Sequence, residues 1–278
     1  MTDPRYPLLM EPQTLQPLLG QSGILLVDLC QTRQYPLAHI PGAIHVPFSR
    51  LMSGQPPAVG QPPSLKALNH LMCQIGLNEQ THVIAYDDEG GGWAGRFLWT
   101  LDLLGHSAWS YLNGGLHAWL SEYRPIETAI QNPIPSDFQA NLDSATSASQ
   151  SQILTQLKQD DFVLWDARTP QEYLGLQPTA LRNGHIPGAI NYEWLRALDP
   201  RNGLRIRHLD DIQNEFNAIG LTPDKDIVTY CHAHHRSGFT YLLGRILGFP
   251  RIRAYPGAWS EWGNSPDVPI ETQPRPIT

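Results

Sequence analysis

The chemically richest stretch of the chain is Tyr230-Cys231-His232-Ala233-His234-His235-Arg236-Ser237-Gly238, which sets one cysteine among three histidines and an arginine. A thiol acts as a nucleophile through its thiolate, and nearby positive charge lowers its pKa. Cys231 therefore reads as a reactive thiolate. Arg236, five positions on, supplies a permanent charge for a dianionic substrate or ties the loop together from within. His232, His234 and His235 read as N–H donors or partial positive charge at a pocket mouth, and the amides from His232 through Ala233 to His235 as donors to a central anion. Zinc on Cys231 and these histidines is disfavoured, because three ligands within four consecutive residues do not easily surround one ion tetrahedrally. No cofactor is expected either: Gly90-Gly91-Gly92 lacks the following Lys-Ser/Thr of a phosphate-binding loop. Cys30 and Cys73 have no clustered basic partners and read as structural. Arg182 is a candidate for charge at the pocket rim.

Such a loop needs a strand and a helix to hold it. Residues 227–230 form an apolar strand candidate, and within 239–247 Leu242, Leu243, Ile246 and Leu247 recur at helical spacing. Cys231 thus opens a strand-to-helix loop, where open α/β sheets carry active sites and where a helix N-terminus favours anions. The equivalents earlier in the chain are residues 83–86 and 97–104, with a Gly-rich loop between them.

That equivalence belongs to an internal repeat. His39-Ile40-Pro41-Gly42-Ala43-Ile44 recurs as His185-Ile186-Pro187-Gly188-Ala189-Ile190, each after an apolar run ending in Asp, at residues 24–28 and 162–166. Gly95, Gly105, Gly114 and Trp119 keep the separations of Gly238, Gly248, Gly257 and Trp262. The chain is a tandem duplication, and a repeat fixes architecture first. Strands alternating with helical stretches predict an α/β protein of two tandem domains, each a mainly parallel sheet covered by helices. Residues 124–150, rich in Ser, Thr, Ala, Asn, Gln and Pro, read as a connector that buries little. The boundary is expected near residue 140, giving domains 1–140, with the connector from about 125, and 141–278.

Composition narrows the class. Of 278 residues, 41% are hydrophobic and 9% aromatic, which excludes wholesale disorder. A net charge of −7, from 19 Lys+Arg against 26 Asp+Glu, argues against a general binder of nucleic acid or anionic membrane. No apolar stretch nears the roughly 20 residues of a bilayer span. The N-terminus lacks the basic and long apolar regions of a secretory signal, so a cytoplasmic location is expected. Three cysteines, an odd and sparse set, fit a reducing compartment.

Four segments together resemble one family: Asp166-Ala167-Arg168, Gly184-His185-Ile186-Pro187-Gly188-Ala189, the loop from Cys231 to Arg236, and Gly257-Ala258-Trp259-Ser260-Glu261-Trp262-Gly263. They are similar to the rhodaneses, or thiosulfate sulfurtransferases, in their tandem-domain form, over essentially the whole chain. The resemblance implies two similar α/β domains, only the C-terminal one active, with substrate between them. Alignment through Tyr86-Asp87 and Tyr230-Cys231 puts Asp87 at the nucleophile's place, where it cannot carry sulfane sulfur and, with Asp88 and Glu89, would repel an anion. The loop most resembles a bacterial subgroup with Cys-x-Thr-His-His-Arg, with Ala233 in place of Thr. This implies thiosulfate as donor, a Cys231 persulfide, and cyanide or a thiol as acceptor. The alternatives are a 3-mercaptopyruvate sulfurtransferase, although the loop lacks Cys-Gly-Ser/Thr-Gly, and a persulfide carrier serving a sulfur-acceptor protein. A cysteine-dependent phosphatase would need five residues between Cys and Arg, and here four intervene.

Overall fold

In the computed structural model, which describes residues 6–273, the apolar runs become strands. They are β1 (Leu9–Met10), β2 (Ile24–Asp28), β3 (Ile44–His45), β4 (His82–Tyr86), β5 (Trp109–Leu112), β6 (Phe162–Asp166), β7 (Ile190–Asn191), β8 (Leu198–Asp199), β9 (Arg205–Ile206), β10 (Asp226–Tyr230) and β11 (Ile252–Ala254). The helices are α1 (Pro12–Leu15), α2 (Leu65–Gln74), α3 (Gly92–Leu103), α4 (Gly115–Ser121), α5 (Gln150–Gln156), α6 (Pro170–Tyr173), α7 (Leu209–Ile219), α8 (Arg236–Ile246) and α9 (Ala258–Trp262). One sheet has the order β1-β5-β4-β2-β3 and the other β11-β10-β6-β7, and every pairing in both is parallel. All residues of β4 and β6 are buried, as expected of strands covered on both faces. The architecture is thus the predicted one. Helices α3 and α8 begin several residues before the apolar periodicity does, because their first turns carry loop residues that show no period.

The repeated hexapeptide is a structural lock in both halves. His39 stacks on Tyr35 with ring centroids 3.9 Å apart, and His185 on Tyr173 at 3.6 Å. Each imidazole Nδ1–H donates to the carbonyl of its own tyrosine, at 2.6 and 2.7 Å. The tyrosine hydroxyls donate in turn to the carbonyls of Ala43 and Ala189. Within each hexapeptide the isoleucine N–H, of Ile40 or Ile186, donates to the hydroxyl of Tyr86 or Tyr230, at 3.1 and 3.2 Å. Those tyrosines end β4 and β10. The lock therefore fixes the strand ends from which the two loops start.

The chain divides into two compact units. The first takes the described residues up to Leu51, Pro63–Asp143 and Leu198–Ile206; the second takes Met52–Pro62, Ser144–Ala197 and the described residues from Arg207. The sequence boundary near residue 140 falls just before Asp143, while Met52–Pro62 and Leu198–Ile206 lie in the unit of the opposite sequence half. In the first unit the antiparallel β8–β9 pair is held by Arg205, which pairs with Glu11 and Glu122, and by Ile206 N–H donating to Asn113 at 2.8 Å.

The Ser- and Pro-rich connector buries little, as its composition predicts, with Phe138 the one buried residue of 124–143, yet its backbone is tied down. Glu127 and His39 exchange two backbone hydrogen bonds, and Ser136 N–H donates to the Cys73 carbonyl. The Asn69 side chain donates to the Phe138 carbonyl and accepts from Ala140 N–H. Extended chain with few apolar residues still needs partners for its peptide groups, and here the first unit supplies them. Phe138 is 5% exposed and meets His106 edge-on. Among the described residues no helix is long and apolar enough to cross a membrane. If the connector is part of the core, Phe138→Ala will lower unfolding free energy by about 3 kcal/mol in urea titration; a tether would tolerate it within about 0.5 kcal/mol.

Candidate active site

Strand β10 delivers Cys231, and five residues later α8 begins at Arg236. The loop between them is oriented from behind by α9. The Cys231 carbonyl accepts from Trp259 N–H at 3.0 Å, and the His232 carbonyl from Ser260 N–H at 2.9 Å. In a trans peptide the C=O and the following N–H point opposite ways. The N–H groups of His232 and Ala233 therefore face away from α9, as an anion cradle requires. His234 then adopts φ 53°, a left-handed conformation that turns the loop into the helix.

Cys231 is 1% exposed. Burial pushes the Cys231 thiol up, but the Arg236 charge, hydrogen bonds from the Ser237 side chain and N–H, and His235 outweigh it and hold the thiol below its ordinary value. The Ser237 hydroxyl donates to Sγ at 3.4 Å and lies 2.8 Å from His234 Nδ1. A hydroxyl has one proton, so with that proton on sulfur, His234 Nδ1–H is the donor to Ser237. His234 and Ser237 form a buried chain of donors ending on Cys231.

Arg236 is held by Glu172, which accepts from both Nη atoms at 2.5 and 2.9 Å. Glu172 is 5% exposed and sits in the first turn of α6, where it closes a capping box with Thr169. Burial raises its pKa, yet hydrogen bonds and charge from Arg236, with Thr169 and Arg168, bring it down to about 2. Beneath lies a second buried pair: Arg168 donates to both Asp166 oxygens and to the Gly184 carbonyl, and its guanidinium lies 4.4 Å from the Trp259 ring. The Asp166-Ala167-Arg168 segment thus braces the residue that holds the Cys231 carbonyl.

The remaining candidates divide clearly. His232 and Ala233 are half-buried in the loop. Burial and the Arg236 charge lower the His232 pKa, so its imidazole is neutral at neutral pH, and its buried Nδ1 has no hydrogen-bond partner among the described residues. The His235 ring packs against Trp194, with centroids 5.8 Å apart. Arg182 is not brought into the loop: its guanidinium donates to the carbonyls of Pro266 and Val268, fastening the C-terminal segment. Sequence reasoning missed Ser237 and Glu172 as site residues. Thr169-Pro170-Gln171-Glu172 does carry the capping-box pattern, which marks a helix start but not the ion pair made by its glutamate.

The equivalent loop of the first unit is filled by its own side chain. The Asp87 carboxylate accepts from the N–H groups of Glu89, Gly91 and Ala94 at 3.1, 2.8 and 3.0 Å. Burial and the Glu89 charge raise Asp87 to about 6 against these three donors. Among the other cysteines, burial and Asp28 with Asp88 push the Cys30 thiol far up, out of thiolate range, and Cys73 donates to the Phe138 carbonyl.

A rhodanese-like domain model matches residues 11–122 and again 149–265. A thiosulfate sulfurtransferase of Azotobacter vinelandii is 47% identical over 265 residues, covering 95% of this chain and 97% of the relative. A Thermus thermophilus protein named sulfur carrier protein TtuD is 33% identical, covering 85% of this chain and 86% of its own. Among solved structures, the anaerobic ergothioneine biosynthesis enzyme of Chlorobium limicola, in complex with trimethyl histidine, superposes with a TM-score of 0.86 at 21% identity, over 95% of this chain and 70% of its own; this likeness concerns the fold.

The Glu172–Arg236 pair yields a pH test. Because the folded-state pKa of Glu172 is depressed from 4.5 to about 2, the pair's stabilisation is fully present above about 4.5 and is lost as pH falls toward about 2. Glu172→Gln is expected to lower stability by about 3 kcal/mol at neutral pH, with the gap to the parent closing through that window. Urea unfolding at both ends of the window decides it; equal stability at neutral pH would remove the pair from the site's support.

Proposed function

The chain belongs to the rhodanese family, and from that premise we propose that it is a sulfurtransferase that moves sulfane sulfur from thiosulfate through Cys231 to cyanide or a thiol. The Cys231 thiolate attacks the outer sulfur of thiosulfate. The S–S bond of the donor breaks, its electron pair leaves with sulfite, and a new S–S bond leaves a persulfide anion on the enzyme. Cyanide then takes the outer sulfur as thiocyanate and restores the thiolate. Neither step moves a proton, so no general base is needed.

The observation that carries this reading is the depressed thiol of Cys231 inside a loop whose amides face away from α9. Groups that favour the thiolate also favour the persulfide anion, and they are preorganised. In this reading Arg236 contributes charge to the donor anion while its Nη atoms stay on Glu172, and the amides of His232, Ala233, His234 and His235 surround the persulfide. Neutral His232, with its Nδ1 unengaged, suits hydrogen bonding to a donor oxygen. Arg182 takes no part. The first unit, with Asp87 filling its own loop, carries no sulfur. The three free thiols suit a reducing, cytoplasmic setting. A second reading, delivery of the persulfide to a sulfur-acceptor protein, is supported by the relative named as a sulfur carrier.

Cys231→Ala is expected to abolish both sulfite release from thiosulfate plus cyanide and the mass gain of one sulfur atom after incubation with thiosulfate alone. Persistent turnover in that variant would sink the proposal. Donor profiling should favour thiosulfate over 3-mercaptopyruvate by at least about tenfold in kcat/KM, and the reverse preference would overturn the donor assignment. A stable sulfur adduct with negligible turnover to small acceptors would favour the carrier reading.

A further inference from the structure

Two of the loop's carbonyls are held by α9, but the third is not. What lies against the Ala233 carbonyl is Gly60, from Met52–Pro62, the piece of the first sequence half that belongs to the second unit. A Cβ built on Gly60 would fall 2.5 Å from the Ala233 oxygen, 2.6 Å from its carbonyl carbon and 2.4 Å from the Pro256 oxygen. All three are backbone atoms, so no side chain can swing away to make room. Gly60 is buried and does not have a positive φ, so its backbone conformation does not demand glycine; the closeness of approach does. The segment is tied into a turn by Ser53 N–H donating to the Gln61 carbonyl and Gly54 N–H to that of Val59, which presents Gly60 at its end.

We infer that Gly60 is a positioning residue for the Cys231 cradle. Its bare Cα lets Met52–Pro62 press against the Ala233 and Pro256 carbonyls and so fixes the Ala233–His234 peptide plane. The Cβ position lies almost equally far from that carbonyl's oxygen and carbon, at 2.5 and 2.6 Å, so the segment lies broadside on the Ala233 C=O and hinders rotation of its peptide. The Trp259 N–H, the Ser260 N–H and the Gly60 backbone thus set three successive peptide planes. The same contact steadies His234, whose side chain feeds the Ser237 hydroxyl. That the steadied group is a persulfide rests on the sulfurtransferase reading; the contact itself does not.

The test is Gly60→Ala, read in two independent ways. Sulfite release from thiosulfate plus cyanide is expected to fall at least about tenfold, mainly in kcat, because the cradle acts on the reacting sulfur more than on binding. Alkylation of Cys231 by iodoacetamide is expected to shift to higher pH, a change that loss of stability alone would not produce. Gln55→Ala, at an exposed position of the same segment, should leave both readouts unchanged. Gln61→Gly loosens the segment without adding atoms and covers the case in which Gly60→Ala folds poorly; it is expected to lower turnover about threefold and move alkylation in the same direction. Parental turnover and an unshifted alkylation profile, in Gly60→Ala or in a folded Gln61→Gly when the former does not fold, overturn the inference. A parent chain that releases no sulfite, while Gly60→Ala still shifts alkylation, would overturn the sulfurtransferase reading and leave the role of Gly60 standing.

Discussion

Cys231 is 1% exposed, so a thiolate there has nearly no water around it, and the rest of the second unit is arranged around that loss. Desolvating a small anion opposes ionisation by several kcal/mol unless the surroundings answer it. A single nearby cation is the obvious answer, yet an arginine free to reach solvent would do so. Glu172 prevents this by gripping both Nη atoms of Arg236. The grip has a cost in field strength, since Arg236 and Glu172 together carry no net charge. The Arg236 charge still counts first, and the Ser237 hydroxyl and N–H, with His235, supply the rest.

The first unit shows what backbone donors do beside a like charge. Its loop has the same strand-to-helix setting and aims three N–H groups at one carboxylate, but α3 opens with Gly92 and Trp93 where α8 opens with Arg236 and Ser237. There the anion is still disfavoured, with Asp87 raised to about 6. In the second unit the thiol is held below its ordinary value. Backbone donors make a place for negative charge, and the cation and hydroxyl at the helix start tip the equilibrium.

How much of this was legible in the sequence follows from the range of each interaction. The duplication, the parallel sheets and the Cys231 loop lie in local patterns: apolar runs, a repeated hexapeptide, one basic cluster. Glu172 and Gly60 act on the loop from 64 residues before Arg236 and from far earlier in the chain, and neither type signals its role locally. Arg182 misled for the same reason: its neighbours in sequence suggested the pocket, while its partners in space are Pro266 and Val268. Composition showed that the connector buries little, but not that its peptide groups find partners within the first unit.

The contacts also say which loop identities matter and why. At Cys231 and His232 the α9 N–H groups hold carbonyl oxygens, and at Ala233 Gly60 packs on the carbonyl, so the backbone at these positions is held without reference to the side chain attached. Alanine in place of threonine at position 233 therefore leaves the cradle intact. Ser237, by contrast, is read through its hydroxyl, His234 through Nδ1 and Arg236 through its guanidinium, and none of these has a backbone substitute. His232 belongs to the first set, held only through its carbonyl, while its neutral ring adds no charge to the field and leaves Nδ1 unengaged. Thiolate formation and donor choice are thereby separable. The first rests on buried side chains and peptide planes, and under the proposed sulfurtransferase reading the second falls to His232, whose side chain can change without disturbing them.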